Sequence, residues 1–317
     1  MSINVGIDVD KDLLQVALVI DGAVKERKTY KNKPADRAQF ASWCAKKGAE
    51  RICMESTGPY SAPVAFLLYE AGLPAVVCNP RAIRQFAQSM GWFNKTDRAD
   101  AASIARYAEL AKPSLWVPPP AEHRQLCALS RRSTQLQEMR TRERNRLEDE
   151  RLDPFCRESV LRSLEFIKQE QKALWKEIES LVKRCADLRE KVALLRTIPG
   201  VGLRTACAIL GEMATGVPFT NSAELCAYAG LYPRLNESGK FAGRSLLSKR
   251  GNSRLRRALY MPAVVALKHN PIIKEFYEKL LQKSKSKKAA LVACMRKFLS
   301  ICYGVLTRRA AFSVSGA

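Results

Sequence analysis

The chain has 317 residues, of which 47% are hydrophobic, and its formal net charge is +23. This hydrophobic content excludes an intrinsically disordered protein and allows two or three domains with their own cores. The charge favours a polyanionic partner. Nucleic acid is favoured over a membrane, because no uncharged apolar stretch is long enough to cross a bilayer.

The positive charge is concentrated near the end of the sequence. Residues 231–317 contain 19 Lys and Arg but only 3 Asp and Glu. The ten cysteines form no Cys-x-x-Cys pair, and only two histidines are present, so we expect reduced core thiols rather than a zinc site. The chain begins with a predicted strand rather than a secretory leader, and together with the reduced thiols this predicts a cytoplasmic protein.

The first third of the chain predicts an α/β domain with a mixed sheet. Asp21-Gly22 is a hairpin signal between two runs of strand-like residues. The predicted strands are 4–10, 13–20, 23–30, 51–54 and 75–77, and the predicted helices are 34–47 and 59–71. Three meandering strands followed by strand–helix alternation predict a mixed sheet covered by helices, an order also found in ribonuclease H-like nucleases.

The middle of the chain predicts a long helical hairpin. A proline-rich linker ends at Pro120, and helices are predicted over about 123–151 and 158–197. The second helix has apolar residues at alternating steps of four and three, a coiled-coil heptad: Leu174, Ile178, Leu181, Cys185, Leu188, Val192 and Leu195. Such a seam fits an intramolecular hairpin and a dimer equally well.

The last third predicts a basic, mainly helical domain. Residues 198–202 form a Pro-Gly-Val-Gly turn before the apolar helix 203–213, a pattern that resembles a helix-hairpin-helix. Gly200 and Gly202 are candidates for phosphate binding through backbone N–H groups, although a simple helix connection also fits. The other candidate contacts to nucleic acid are Lys240, Arg244, Lys249, Arg250, Asn252, Arg254, Arg256 and Arg257.

Four carboxylates are the strongest catalytic candidates. Asp8 and Glu55 lie at the ends of predicted strands, and Asp97 and Asp100 share one face of a predicted helix start. Convergent carboxylates suit Mg²⁺ or Mn²⁺ and phosphoryl transfer. Taken singly, Glu55 could cap the following helix, the two helix acids could stabilise its N-terminus, and Asp10 competes with Asp8.

Several sequence blocks together resemble the DEDD-type bacterial insertion-sequence transposases. These blocks are residues 6–9, 55–58, 95–101, 199–202, 229–233, 238–239 and 249–257, in the order of that family. Asp10 departs from the family, which often has Ser there. The resemblance implies a RuvC-like domain at 1–117, a coiled-coil linker at 118–195, and a transposase domain at 196–317.

The resemblance also implies a mechanism and partners. Ser238 would be the nucleophile of a DNA recombinase and would form a transient phosphoserine link, with Ser245 and Ser248 as local rivals. The enzyme would excise and insert a mobile element between donor and target DNA. A structured bridge RNA would guide it, and it would act as a coiled-coil dimer within a tetramer, without a membrane.

Two other classes of function also fit the sequence. The first is a metal-dependent nuclease of the junction-resolvase type, which cuts by water attack and needs no serine. The second is a nucleic-acid-binding protein with an inert catalytic fold. Substitution of Ser238 separates the recombinase from the nuclease, and substitution of Asp8 or Asp97 separates both enzymes from the binding protein.

Overall fold

The computed structural model forms two compact units, Met1–Pro118 and Pro119–Ala317, which are treated separately below. It describes the backbone of residues 1–91, 97–234, 237–238, 241–242, 246–248, 250–283 and 285–314. Within these ranges the side chains of residues 97–99, 234, 237–238, 241–242 and 246 are not described. The helical hairpin and the C-terminal helices therefore lie in one unit.

The first unit contains a five-stranded mixed sheet and four helices among its described residues. Its elements are β1 (Ile3–Val9), β2 (Leu13–Ile20), β3 (Ala23–Lys31), α1 (Pro34–Lys47), β4 (Arg51–Glu55), α2 (Ala62–Glu70), β5 (Ala75–Cys78), α3 (Pro80–Ser89) and α4 (Asp97–Ala111). The strand order is β3-β2-β1-β4-β5. The first three strands are antiparallel, whereas β4 and β5 run parallel to β1. This confirms the predicted mixed sheet and fits a ribonuclease H-like fold.

Local sequence explains the hairpin that starts this sheet. Asp21 and Gly22 both have positive φ, at 43° and 84°, which is the backbone that a tight two-residue turn between twisted strands requires. Central strand β1 is almost entirely buried, as expected for a strand paired on both sides and covered by helices.

Helix α4 packs very closely on the central strand. A Cβ atom placed on Gly6 would lie 2.1 Å from the carbonyl oxygen of Ala101 and 2.4 Å from the amide nitrogen of Ala105. At the other end of α4, Glu109 accepts a hydrogen bond from the amide of Gly22, at 2.8 Å. Since Gly22 lies in the turn beside the start of β1, these two contacts direct the N-terminus of α4 towards the end of β1.

We expect Gly6→Ala to destabilise the protein by about 1–3 kcal/mol or more, because the added methyl group would meet backbone atoms that cannot rotate away. Urea unfolding measures the change in the free energy of unfolding. Gly304→Ala is the control: its nearest neighbour is the flexible end of Arg308, and Ala is preferred over Gly inside a helix. Equal stability of Gly6→Ala and the wild type would show that α4 does not approach β1 this closely.

The second unit is mainly helical. Its described elements are α5 (Ala121–Arg146), α6 (Pro154–Arg184), α7 (Ala186–Arg196), α8 (Leu203–Met213), α9 (Ser222–Tyr228), β6 (Pro233–Arg234), β7 (Glu237–Ser238), β8 (Phe241–Ala242), β9 (Leu246–Leu247), α10 (Ser253–His269), α11 (Pro271–Gln282) and α12 (Lys287–Arg308). Side chains of Asp153, Asn252, Asn270 and Ser286 cap the N-termini of α6, α10, α11 and α12.

The predicted continuous helix over 158–197 is wrong at one point. Cys185 has extended backbone dihedrals, φ −97° and ψ 111°, and separates α6 from α7. The heptad residues on both sides of it, including Ile178 and Leu188, are buried in one core with α8, α10 and α12. Their burial within one unit favours the intramolecular interpretation of the seam.

Helix α12 is long and apolar enough to span a membrane by length and composition alone. Half of its most apolar window is buried inside the protein, and residues such as Cys294, Phe298 and Cys302 lie in the core of the second unit. A buried core helix passes the same test, so this helix is weak support for a membrane span.

Candidate active site and nucleic-acid interface

The sheet brings two of the predicted carboxylates together. Asp8 is the penultimate residue of β1, and Glu55 is the last residue of β4. The two strands are parallel, and their register pairs Ile7 with Met54, so Asp8 and Glu55 occupy the next neighbouring positions. Side chains at such positions point to the same face of a sheet, from strands about 4.8 Å apart. Both residues are partly exposed.

Helix α4 brings its first turn to the same corner. Asp8 shares a face of β1 with Gly6, the residue against which Ala101 packs. Asp100 directly precedes Ala101 and is partly exposed. Asp97 is the first residue of α4, three positions earlier, and its side chain lies outside the described residues. The backbone therefore places the start of α4 near the ends of β1 and β4.

The four predicted carboxylates would offer only oxygen donors, which a hard divalent cation prefers. Asp8, Glu55 and Asp100 each have at least one bonding or electrostatic partner in this structure. Among the side chains that the structure describes, no three His, Cys, Asp or Glu residues lie close enough together to hold a metal ion. The predicted fourth ligand, Asp97, falls outside that set, so metal ligation by the four carboxylates stays a prediction.

Asp10 occupies a different position from Asp8. It lies beyond the end of β1, where its amide donates to the carbonyl of Leu13 at 2.9 Å, and it is exposed. The carbonyl of Asp10 accepts a bond from the side chain of Asn32, at 2.8 Å. These bonds place Asp10 in the turn between β1 and β2, in keeping with a solvated turn residue.

Two buried thiols lie behind Glu55, and sequence reasoning did not single them out. The sulfurs of Cys53 and Cys78 are 3.6 Å apart. The hydrogen bond with Cys78, burial, and the negative charge of Glu55 all raise the pKa of Cys53 well above its ordinary value. Cys53 and Cys78 pack in one core cluster with Ile104 of α4.

Ser238 lies in the segment between α9 and α10, residues 229–251, which contains the short strands β6 to β9 and is called the Ser238 excursion below. It belongs to β7 and stands opposite Phe241 of β8, and its side chain is not described. Strands β6 and β9 pair within the excursion, where Pro233 faces Leu247. The rival Ser248 accepts a bond from the amide of Arg250 through its hydroxyl, at 3.3 Å. The role of Ser238 stays a prediction.

The predicted basic contacts fall into three groups. Lys240, Arg244 and Lys249 lie outside the described residues. Arg250 is exposed, whereas Arg256 donates to the carbonyl of Ala229 and Arg257 pairs with Glu138 of α5. The third group, Asn252 and Arg254, bonds to a buried carboxylate, Glu212. Several of these side chains thus also hold the second unit together.

The two glycines of the Pro-Gly-Val-Gly turn differ in their surroundings. Gly200 has φ 103°, and a Cβ there would lie 2.9 Å from the carbonyl oxygen of Pro262 in α10. Gly202 is exposed, precedes the first residue of α8, and has nothing within 4 Å of an added Cβ. Gly200 therefore serves packing, whereas phosphate binding at Gly202 stays a prediction.

Glu212 is the site residue that sequence reasoning missed. It lies near the end of α8 with only 5% of its surface exposed. Arg131 of α5 makes a bidentate contact with it, at 2.7 and 3.0 Å, and Arg254 of α10 adds a third bond at 3.0 Å. Its pKa is lowered because the bonds from Arg131 and Asn252 outweigh the opposing effect of burial. The sequence signal that could have identified Glu212 is that it is the one acid in the apolar helix α8.

Two family models match different parts of this chain. A model described as a transposase of the DEDD type matches residues 5–152, and a model described as "Transposase IS116/IS110/IS902 family" matches residues 192–278. The pilin gene-inverting protein of Moraxella bovis is 28% identical, over 97% of each chain. The transposase for insertion sequence element IS1111A of Coxiella burnetii is 25% identical, over 96% of this chain and 89% of its own.

The comparison with solved structures finds a more distant likeness. A Thermus thermophilus RuvC structure is 18% identical, with a TM-score of 0.29, over 36% of this chain and 99% of its own. A TM-score this low carries no weight for the fold, which rests on the strand order. The sequence matches define a DNA-acting enzyme of the transposase and recombinase class. The chain belongs to the family of DEDD-type insertion-sequence transposases.

Proposed function

We propose that this transposase is a metal-dependent DNA recombinase that excises and inserts a mobile element through a covalent serine intermediate. The observation that supports it most directly is the convergence of Asp8, Glu55 and the first turn of α4 at one corner of the sheet. Carboxylates so placed suit the binding of Mg²⁺ or Mn²⁺. The strongly basic C-terminal region supplies the charge for binding DNA.

The four carboxylates, Asp8, Glu55, Asp97 and Asp100, would hold the metal. When bound, a divalent cation polarises a phosphoryl oxygen and stabilises the charge that develops on the attacking and leaving oxygens. The protein's contribution is geometric: strand ends and a helix start fix the carboxylates on rigid elements. The chain resembles transposases that use this acid set, which is the reason for assigning all four.

Ser238 would supply the nucleophile. Its hydroxyl oxygen attacks a DNA phosphorus atom, and the phosphorus–oxygen bond to the neighbouring nucleotide breaks. The serine proton passes to a base, and the oxygen of the released strand end takes up a proton from water and leaves as a hydroxyl. The new phosphoserine bond replaces the broken phosphodiester, so rejoining with a second strand needs no nucleotide cofactor.

The proposed recombinase also needs a guide RNA and an oligomeric assembly. Resemblance to the family implies a structured bridge RNA that pairs with donor and target DNA. It also implies a tetramer built from dimers, with contacts through the helical hairpin of α5 and α6. A helix-hairpin-helix at residues 198–202 would contact phosphate through Gly202. The protein would act in the bacterial cytoplasm at the nucleoid.

RNA that copurifies with the protein tests the guide. The protein is expressed together with the DNA that flanks its gene, and the bound RNA is sequenced after nuclease trimming. A discrete species encoded beside the gene and able to fold would support guided recombination. Recovery of random cellular RNA alone would argue for a recombinase that chooses its sites through protein contacts.

Removal of divalent metal should abolish DNA cleavage. We expect no strand cutting in the presence of a chelator and recovery of activity when Mg²⁺ or Mn²⁺ is added in excess, because carboxylates bind these ions through oxygen. A gel assay on plasmid DNA that carries both element ends measures the effect. Ca²⁺ serves as a control for general charge screening. Undiminished cleavage after exhaustive chelation would contradict the proposed metal site.

A further inference from the structure

The two arginines bonded to Glu212 carry more positive charge than is needed to neutralise its buried carboxylate. A buried carboxylate must be paired, and the bidentate contact with Arg131 together with the 2.6 Å bond from Asn252 already provides for both oxygens. Arg254 adds a second guanidinium. The cluster of Glu212, Arg131 and Arg254 therefore has an excess of one positive charge.

Both arginine side chains remain partly exposed to solvent. The side chains of Arg131 and Arg254 are 42% and 47% exposed, whereas that of Glu212 is 5% exposed. Each guanidinium has five N–H donors. Within the described part of the chain, Glu212 engages Nε and Nη2 of Arg131 and only Nε of Arg254. The carboxylate fixes both planar groups and leaves donors for an outer acceptor.

Asn252, which also donates to Glu212 of this cluster, closes the base of the Ser238 excursion. The chain leaves α9 at Tyr228 and returns to α10 at Asn252. The amide of Asn252 donates to the carbonyl of Tyr228 at 2.6 Å, and its side chain donates to the Tyr228 hydroxyl at 2.9 Å. A Cβ on Gly251 would lie 2.4 Å from the Tyr228 carbonyl oxygen, so the two ends of the excursion are in tight contact.

We propose that Arg131 and Arg254, held in place by Glu212, form a paired-guanidinium site for a DNA phosphodiester at the base of the Ser238 excursion. Guanidinium forks match phosphate oxygens in a bidentate manner, and a pre-organised fork loses less conformational entropy on binding. Glu212 is a positioning residue, because it touches the arginines and not the DNA. The inference rests on the proposed function, since it concerns the DNA that the recombinase binds.

The decisive variant is Glu212→Gln. It removes a negative charge, so general electrostatics alone would make the protein bind DNA more tightly. If Glu212 positions the two arginines, the variant binds more weakly instead. Fluorescence anisotropy of the full-length protein with a labelled DNA duplex of arbitrary sequence, in chelator to prevent cleavage, measures the dissociation constant across a range of salt concentrations.

Single substitutions extend the test to the arginines. Arg131→Gln and Arg254→Gln should each weaken binding, and the double variant should reduce the slope of log K against log salt by about 0.9, the value for one lost phosphate contact. Arg132→Gln removes the same charge from the adjacent exposed position and should reduce the slope less. Adding Glu212→Gln to the Arg131→Gln, Arg254→Gln double variant should cause no further loss.

A fourth variant distinguishes DNA binding by Arg254 from a purely structural role of this residue. Arg254→Lys keeps the charge but not the planar fork, and should weaken binding even where thermal unfolding matches that of the wild type. Wild-type affinity in Arg254→Lys, or unchanged or tighter binding in a folded Glu212→Gln variant, would overturn the paired site. If the wild-type protein itself fails to bind DNA, the proposed function fails with it. Wild-type binding combined with unaffected variants rejects the paired site alone.

Discussion

Ser238→Ala is expected to abolish the covalent protein–DNA intermediate and to reduce recombination by about 10⁶-fold, the scale seen when a nucleophilic serine is removed from an enzyme. Alanine keeps the small size of the residue and removes only the attacking oxygen. A denaturing gel of protein mixed with labelled DNA from the element ends measures the intermediate. A phosphoserine link survives detergent, whereas DNA that is bound without a covalent link is released.

Ser248→Ala is the matched control for this experiment. Ser248 lies in the same excursion and is a rival nucleophile, but its hydroxyl accepts a bond from the amide of Arg250. We expect this variant to retain the covalent intermediate. If Ser238→Ala still cuts DNA at the wild-type rate without an adduct, the protein acts by water attack as a metal-dependent nuclease. Loss of the adduct in Ser248→Ala alone would reassign the nucleophile.

Local signals predicted much of the first unit. The Asp21-Gly22 turn, the meander and the strand–helix alternation each follow from short stretches of sequence, and the observed sheet matches them. The neighbouring placement of Asp8 and Glu55 also follows, because consecutive parallel strands end at the same edge of a sheet. These features depend on periodicity and turn chemistry, which sequence patterns record directly.

Features that depend on long-range packing were harder to predict. The heptad pattern continues through Cys185, yet the backbone is extended there, and the residues on both sides share one core with distant helices. In the same way, Asn252 and Arg254 look like solvated nucleic-acid contacts in a basic run, while their bonds to Glu212 join segments some 40 residues apart. No local pattern in the sequence records which acid a given arginine will meet.

Asp8→Asn is expected to reduce metal-dependent DNA cleavage by roughly 10²- to 10³-fold or more, because it weakens charge stabilisation at the reacting phosphate. The substitution keeps the size of the side chain and its place at the end of β1, so the fold should persist. Binding of Mn²⁺, followed by electron paramagnetic resonance of the free ion, should weaken in parallel. DNA binding should not weaken, because the change removes a negative charge from a protein that binds a polyanion.

Asp10→Asn distinguishes a specific ligand from a general loss of negative charge. It makes the same chemical change two residues later, at an exposed turn position whose backbone, rather than side chain, makes the described bonds to Leu13 and Asn32. We expect near-wild-type cleavage and Mn²⁺ binding in this variant. Equal losses in the two variants would mean that any acid near this edge suffices. If only Asp10→Asn loses DNA cleavage and Mn²⁺ binding, the metal site does not lie at the corner where β1, β4 and α4 meet.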